Sequence, residues 1–290
     1  MLKQRLIGCI VVRDGIAVQS IKFSRYLPVG SAAICAQNLD RWGIDEILLQ
    51  NISATPDGTG PDIALVETVA KNCFAPLTVA GGIRSVEDVR DVLQSGADKI
   101  AINSGGIENP DLITEIATVF GRQCVVASID AKPGLDGKFE VWTRSGSRST
   151  GISPAELARD LAQRGAGEIM ISAIHRDGTK QGYDSDLISE VAAAITVPLI
   201  VSGGVGHPRH FREGCDLPGV SAVAAANYFQ FTEHSAAIAK AYLSGDGIEI
   251  RHDTYADYRG RAFDNSGRIE KTPDRDLERL VFEHYEKEKI

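Results

Sequence analysis

The sequence predicts an α/β fold, a (β/α)8 TIM barrel built from two repeated half-barrels and followed by a C-terminal extension. Short apolar runs alternate with amphipathic helical patterns, which is typical of β/α units around a parallel sheet. The stretch GIDEILLQNISATPDGTGPD at 43–62 also returns as GAGEIMISAIHRDGTKQGYD at 165–184, 122 residues later. Alternation and duplication together favour one pseudo-symmetric barrel.

The repeat extends beyond this one stretch. PLTVAGGI at 76–83 recurs as PLIVSGGV at 198–205 with the same offset of 122 residues. Two separate matches at one offset indicate that a whole half-domain is duplicated. We therefore expect half-barrels over about 1–122 and 123–245, with an extension over 246–290.

Eight apolar runs are predicted to form the barrel strands. They cover about 5–12, 46–52, 76–80, 98–103, 123–130, 168–174, 198–202 and 220–226. Helices are predicted near 30–42, 62–73, 85–96, 110–120, 153–164, 185–195, 207–214 and 232–244. Ser85 is a typical N-cap, and Pro110 and Pro154 fit first helical positions. Eight such units are enough to close a barrel.

The amino-acid composition argues against several functional classes. The chain is 43% hydrophobic and 24% charged, as in ordinary globular proteins, and its net charge of −8 argues against general nucleic-acid binding. No stretch approaches the roughly 18 apolar residues of a membrane helix, and the N-terminal segment reaches charge too early for a signal peptide. The cysteines lack metal-ligand spacing, so we expect a cytoplasmic protein with reduced thiols, no metal and no cofactor.

Glycine pairs follow the third and seventh predicted strands, at Gly81-Gly82 and Gly203-Gly204. In a barrel of this class the loops after the strands build the active site. Glycines let the backbone approach a ligand closely, and helix N-termini favour anions. One pair alone would indicate only a tight turn, whereas two symmetric pairs favour two phosphate sites across the barrel mouth. We expect a long ligand with a phosphate at each end.

Several motifs fall in order on the predicted strand ends: LKQRLIGC, VAGGIRSVEDV, GADKIAIN, QCVVASIDAK and, most specifically, RDGTKQGYD at 176–184. Through them the chain resembles the HisF family, the cyclase subunit of imidazole glycerol phosphate synthase, over roughly 1–245. The resemblance implies a barrel that receives ammonia from a HisH-like glutaminase along its axis. With that ammonia it would split a long bis-phosphate into imidazole glycerol phosphate and an aminoimidazole carboxamide ribotide. It also implies phosphate contacts at Gly82, Asn103, Ser104, Asp177, Gly178, Gly204, Ala226 and Asn227.

One half of the mouth departs from the family. The resemblance implies an aspartate at the end of the first strand and another at the end of the fifth, moving protons in opposite directions on one substrate. The fifth strand keeps Asp130, but the equivalent residue of the first strand is Val11. Gln19 and Asn51 stand where the family carries a lysine and an aspartate. We therefore expect Asp130 to be the catalytic group that remains, in an altered cyclase chemistry.

Several other titratable residues are candidates to replace the missing aspartate. Asp14 fits a turn at Arg13-Asp14-Gly15, and Asp57 lies in a loop beyond the second strand. His175 is either a general acid or a solvated loop side chain. His207 and His210 are three residues apart without a third ligand, which argues against a metal site.

Four charged residues of alternating sign lie at strand beginnings: Arg5, Glu46, Lys99 and Glu168. The resemblance implies that they form the ring of charges that closes the ammonia entrance. From the residues alone, a salt-bridge plug at the barrel floor is equally consistent. Asp98, beside Lys99, matches a family position that faces the glutaminase.

The composition becomes polar and charged after residue 245. The stretch 264–267 carries a hairpin-like turn signal, and Pro273 fits the start of a helix. That helix would place Leu277, Leu280, Val281 and Tyr285 at helical spacing. Such an extension either covers the outer wall of the barrel or docks a partner.

The sequence as a whole favours a HisF-like paralogue, the synthase-side subunit of a glutamine amidotransferase complex. The resemblance suggests amidino-sugar formation for bacterial surface polysaccharides, in which a separate sugar amidotransferase completes the transfer. One alternative is an authentic imidazole glycerol phosphate synthase cyclase subunit of histidine biosynthesis, with another group replacing the lost aspartate. A third is a catalytically silent scaffold that binds a phosphorylated metabolite.

Overall fold

The computed structural model describes residues 3–252 and 254–277. In chain order the strands are β1 (Arg5–Arg13), β2 (Ile16–Ile21), β3 (Arg25–Gly30), β4 (Glu46–Asn51), β5 (Leu77–Ala80), β6 (Lys99–Ile102), β7 (Val125–Pro133), β8 (Phe139–Thr143), β9 (Arg148–Ser149), β10 (Glu168–Ala173), β11 (Leu199–Ser202) and β12 (Val220–Ala225).

The helices are α1 (Ala32–Arg41), α2 (Ile63–Ala70), α3 (Val86–Gln94), α4 (Ser104–Glu108), α5 (Asp111–Phe120), α6 (Pro154–Gln163), α7 (Ser185–Ala192), α8 (Pro208–Cys215), α9 (Ser235–Gly245) and α10 (Asp274–Leu277). In the part of the chain that the structure describes, none of them is long and apolar enough to cross a membrane.

Eight of the strands pair in parallel into a closed ring. The order is β1, β4, β5, β6, β7, β10, β11 and β12, and β12 pairs with β1 to complete the circle. Helices connect successive strands of the ring. The predicted (β/α)8 barrel is therefore confirmed, and each predicted barrel strand lies within a few residues of its observed position.

Each half begins with a long strand that is extended by antiparallel strands, a feature that the sequence analysis did not predict. β1 and β7 are each nine residues long and continue into antiparallel hairpins, β1–β2–β3 and β7–β8–β9. At the hairpin tips, Lys22-Phe23 and Arg144-Ser145 all have left-handed backbone conformations. These pairs are 122 residues apart, so the duplication extends to the tips.

The core lies in two layers. One layer fills the space between the barrel strands and the surrounding helices. The other fills the barrel axis with small and medium apolar side chains: Ile7, Cys9, Leu48, Ala80, Ala101, Val126, Met170, Ile200, Ala222 and Ala224. The axis between floor and mouth is therefore mainly apolar, with the buried hydroxyl groups of Thr78 and Ser128 as polar members.

A buried ion pair fastens α9 to the start of β1. Lys240 Nζ lies 2.7 Å from Asp45 Oδ1, and their side chains are only 1% and 4% exposed. The other oxygen of Asp45 accepts a hydrogen bond from the Leu6 amide at 2.8 Å. Because an unpaired buried charge is costly, these contacts hold α9 in place against the barrel.

The described part of the extension packs on the outside of the barrel. Gln4 forms a parallel bridge with Ile250, and the Phe263 ring packs edge-on against Tyr242 of α9 at 5.3 Å. The hairpin signal at 264–267 corresponds to an observed turn, in which the Asp264 amide donates to the Arg268 carbonyl at 2.8 Å. A short helix begins at Asp274. The predicted apolar positions Leu280, Val281 and Tyr285 lie outside the described residues.

Candidate functional site

The carboxyl ends of the barrel strands surround a pocket of about 1090 Å³, a volume that includes the space open to solvent at its mouth. Ten residues singled out in the sequence line it: Val11, Asn51, Gly81, Gly82, Asn103, Ser104, Asp130, Asp177, Gly203 and Ala226. Gly178, Gly204 and Asn227 lie behind this lining, against neighbouring backbone. The duplicated strand ends thus converge on one mouth.

Asp130 is a buried carboxyl group poised to titrate near neutral pH. Its side chain accepts a hydrogen bond from Asn103 Nδ2 at 2.8 Å, and the residue is 4% exposed. Burial raises the pKa of Asp130 to about 7, although hydrogen bonds from Asn103 and Ser172 oppose the shift. At neutral pH such a group can donate or accept a proton.

The strand register places Val11 and Asp130 at equivalent points of the two halves. Val11 pairs with Gln50 of β4, and Asp130 pairs with Ser172 of β10. Gln50 and Ser172 are themselves 122 residues apart. Val11 therefore faces the mouth where a second carboxylate would stand by symmetry.

Asp177 was predicted as a phosphate contact, but its side chain is directed at the first hairpin. Its carboxylate accepts hydrogen bonds from Ser20 Oγ at 2.6 Å and from the Phe23 amide at 3.4 Å. Burial raises the pKa of Asp177 to about 6, and the hydrogen bond from Ser20 opposes the shift. Because a carboxylate repels a phosphate, an anion at this turn would contact the backbone and not the side chain.

Close backbone packing explains the glycine pairs. Gly82 and Gly204 have φ values of +78° and +102°. A Cβ atom on Gly82 would lie 2.6 Å from the Gly60 carbonyl carbon, and one on Gly204 would lie 2.1 Å from the Gly182 carbonyl oxygen. The turns therefore require glycine with or without a ligand, and the phosphate contacts stay a prediction.

Each hairpin rests on the end of a strand from the predicted phosphate sites. Asn227 Nδ2 donates to the Ser20 carbonyl at 2.6 Å, and the Ser20 amide donates back to Asn227 Oδ1 at 3.1 Å. In the other half, the Arg144 amide donates to Ser104 Oγ at 3.1 Å. The hairpins therefore roof the mouth, and sequence reasoning missed their contribution of Ser20, Phe23 and Tyr26 to its lining.

The three candidates for replacing the missing aspartate do not line the mouth. His175 Nε2 lies 2.7 Å from the Asp184 carboxylate, Asp14 bonds to Ser53 at a turn, and Asp57 borders a separate outer pocket. These residues do not line the pocket around Asp130.

His207 and His210, the pair that the sequence analysis considered as metal ligands, have structural partners at the start of α8. His207 Nδ1 accepts a hydrogen bond from the Arg209 amide at 3.0 Å, and His210 Nδ1 accepts one from the Gly206 amide at 3.2 Å. Both rings stabilise the first turn of that helix.

A closed ring of ion pairs lies at the opposite end of the barrel. Arg5 contacts Glu46 at 2.7 Å and Glu168 at 2.6 Å, and Lys99 contacts the same carboxylates at 3.4 and 2.8 Å. Burial alone would raise the pKa of Glu168, but Lys99 and Arg5 outweigh it, so this pKa lies below its usual value. The four residues form one alternating ring at the strand beginnings.

Asp98 lies beside this ring and is exposed to solvent. Its carboxylate also accepts a hydrogen bond from the Leu77 amide at 2.8 Å. One face of the side chain therefore holds the start of β5, while the charge stays available at the floor.

The molecule is thus a duplicated (β/α)8 barrel with one buried and one half-buried carboxyl group at its mouth, Asp130 and Asp177, and a ring of four charges at its floor. A family model described as "Histidine biosynthesis protein" matches residues 5–235. The subunit HisF of imidazole glycerol phosphate synthase from Hyphomonas neptunium (strain ATCC 15444) is 43% identical over 251 residues, which cover 87% of this chain and 99% of that relative. The chain belongs to the HisF family of histidine biosynthesis proteins.

The raised pKa of Asp130 predicts a stability cost at high pH. An unfolded aspartate ionises near pH 4, whereas folded Asp130 stays protonated until about pH 7. Stability is therefore lost as pH rises from about 4 to 7, by up to about 4 kcal/mol. Asp130→Asn should remove this loss and raise the free energy of unfolding more at pH 8 than at pH 4.

Urea unfolding at the two pH values measures this difference. The matched control is Asp57→Asn, because Asp57 is exposed and lies outside the mouth. Equal changes at pH 4 and pH 8 in Asp130→Asn would contradict the assigned environment of Asp130.

Proposed function

We propose that the chain is the cyclase-type subunit of an imidazole glycerol phosphate synthase, which uses ammonia delivered along the barrel axis on a bis-phosphate bound at the mouth. The observation that carries this proposal is the alignment on one axis of a charged ring, a mainly apolar interior and a mouth containing Asp130. The 43% identical relative is named as a subunit of that synthase, and the match covers nearly all of it. The products would be imidazole glycerol phosphate and an aminoimidazole carboxamide ribotide.

The mouth supports this chemistry through its duplicated ends. The strand-three and strand-four turns, at Gly82 and Ser104, would hold one phosphate, and the turns at Gly204 and Ala226 would hold the other. The reacting centre of a ligand spanning both lies between them, near Asp130. Asn103 orients the Asp130 carboxyl group, which can move a proton at neutral pH.

The interior of the barrel supports the delivery of neutral ammonia. Four of the ten buried hydrophobic side chains along the axis are alanine, and the buried Thr78 and Ser128 beside them are polar but uncharged. A charged ammonium ion would lose its hydration there without gaining a partner, whereas ammonia would cross at a much lower cost. The ring of Arg5, Glu46, Lys99 and Glu168 would then act as the entrance for ammonia.

The floor is the face on which a HisH-like glutaminase would dock. Free ammonia is mostly protonated at neutral pH, so it must be transferred inside a sealed contact. The exposed carboxylate of Asp98, next to the ring, supplies a charge that a cationic residue of the partner can meet.

Val11 favours a second candidate function, amidino-sugar formation in surface polysaccharide biosynthesis with a separate sugar amidotransferase. The mouth has a valine where the family chemistry needs a carboxylate, and Asn51 in the same half-site is also uncharged. In that case the barrel would pass on ammonia without closing an imidazole ring. The two candidates differ in whether this chain turns over the bis-phosphate.

Steady-state turnover of the bis-phosphate with an ammonium salt tests the main proposal. We expect measurable conversion by the unmodified chain and a loss of roughly 10² to 10⁴ in Asp130→Asn, the range that one general acid or base supplies. His175→Gln is the control, because His175 pairs with Asp184 away from the mouth. No conversion by the unmodified chain above the protein-free rate would overturn the proposal and favour the second candidate or a silent scaffold.

Substitutions at the floor test the ammonia route. Lys99→Ala should leave the glutaminase complex formed but raise the glutamate released per product above one, because the ring opens to solvent. Asp98→Lys should instead weaken the complex, since charges at an interface set the rate of encounter. Co-purification and the ratio of glutamate to product provide the two measurements.

The control for the floor substitutions is Lys271→Ala, because Lys271 is an exposed side chain on the extension. If Asp98→Lys binds as tightly as the unmodified chain and Lys99→Ala keeps the ratio near one, the four charges are only a structural plug.

A further inference from the structure

The corner of the mouth next to Val11 contains the carboxyl group of Asp177, which comes from the turn that follows β10. Val11 pairs with Val18 across the antiparallel β1–β2 ladder, so their side chains share one face. Ser20 is two residues beyond Val18 and points the same way. The Asp177 carboxylate lies 2.6 Å from Ser20 Oγ, which places it on the β1 side of the pocket.

Asp130 and Asp177 face a common space. Both line the mouth pocket, and among the described residues that line it they are the two carboxyl groups. The negative charge of Asp177 also adds to the burial that raises the pKa of Asp130. The ionised form of one group therefore disfavours ionisation of the other across the mouth.

We propose that Asp177 is the second proton-transfer group of this mouth, in the role that an aspartate at position 11 would otherwise have. The inference rests on the proposed function, because it concerns the same reaction. Its side chain would contact the reacting part of the bis-phosphate, while the backbone of its turn remains free to contact a phosphate. Asp177 is then a catalytic residue, and Val11 only fills space.

In the step that exchanges one C–N bond for another, the proton movements balance with these two groups. As the new C–N bond forms, the incoming nitrogen loses one proton to the Asp177 carboxylate. As the old C–N bond breaks, the departing nitrogen gains one proton from the Asp130 carboxylic acid. The pair ends with its protonation reversed and is reset by exchange with water at the open mouth.

The surroundings of each group decide which is the base. Asp177 is half-buried and accepts hydrogen bonds from Ser20 Oγ and the Phe23 amide, which favour its ionised form. Asp130 is fully buried and burial raises its pKa further, so Asp177 is the base and Asp130 the acid. The other titratable groups facing Asp177 are Cys9 on β1 and Tyr26 on β3. Burial raises the pKa of the Cys9 thiol to about 12 and also raises that of the Tyr26 phenol, so both stay neutral.

Ser20 is a positioning residue for Asp177. Its hydroxyl hydrogen bond stabilises the ionised form of the carboxylate and so opposes the effect of burial. Removing that hydroxyl should raise the pKa of Asp177 and move the acidic side of the pH profile upward. A residue that only held the hairpin would change the amount of activity and leave the profile in place.

The experiment is ammonium-dependent turnover of the bis-phosphate between pH 5 and 9 for matched variants. Asp177→Asn keeps the shape of the side chain and an oxygen for Ser20. We expect it to lower kcat by about 10² to 10⁴ and to lose the acidic limb, with little change in KM. Asp57→Asn, at an exposed position away from the mouth, should behave as the unmodified chain.

Two further variants complete the test. Val11→Asp in the Asp177→Asn background returns a carboxylate to the same corner, and we expect it to restore at least tenfold of the lost kcat. Ser20→Ala should shift the acidic limb upward, and this readout decides the matter if Asp177→Asn does not fold.

Three results would overturn the inference in distinguishable ways. Full kcat in Asp177→Asn alongside a loss in Asp130→Asn would remove Asp177 from catalysis and leave the proposed function standing. An unchanged acidic limb in both Asp177→Asn and Ser20→Ala would assign Asp177 a structural role. No turnover by the unmodified chain would remove the proposed function, and this inference with it.

Discussion

Pairing of β12 with β1 closes the barrel and fixes the position of every other strand. That contact, from Arg5 opposite Ala222 to Gly8 opposite Ala225, closes the ring so that every barrel strand has two neighbours. Once the ring is closed, all eight carboxyl ends point to one mouth and all eight beginnings to one floor. Charges that are far apart in sequence, such as Arg5 and Glu168, then meet within hydrogen-bonding distance.

The carboxyl groups at the two ends of the barrel have different kinds of partner. At the floor each carboxylate has two cationic partners, so the cost of desolvation is offset by pairing. At the mouth the lining contains no lysine or arginine among the described residues, and Asp130 and Asp177 have only neutral hydrogen-bond donors. Their pKa values rise for that reason, which makes the floor a stable closure and the mouth a place where protons can move.

The sequence was sufficient for the barrel and for the equivalence of its halves, because both depend on local apolar periodicity and on a constant offset. The sequence also predicted that the four floor charges lie on one face, because all strand beginnings lie at the same end of a barrel. The hairpins were missed although IAVQSI and FEVWT are rich in the β-branched and aromatic residues that favour strands. Eight β/α units already complete a barrel without these two segments, so the repeat pattern does not require strands there.

The direction of the Asp177 side chain could not be predicted from its own turn. Its contact is with Ser20, 157 residues away, on a hairpin that was itself not predicted. Likewise, the turn geometry around Gly82 and Gly204 requires glycine for backbone packing alone, so the residue type does not reveal whether an anion binds there. Such roles depend on tertiary contacts that no local pattern encodes.

We propose that both halves of the duplicated mouth bind one doubly phosphorylated ligand. A crystal structure of this chain at saturating inorganic phosphate tests this proposal. We expect two bound phosphates, one at the turns of Gly82 and Ser104 and the other at the turns of Gly204 and Ala226, on opposite sides of Asp130. Phosphate in neither turn, or in only one half, would contradict the account.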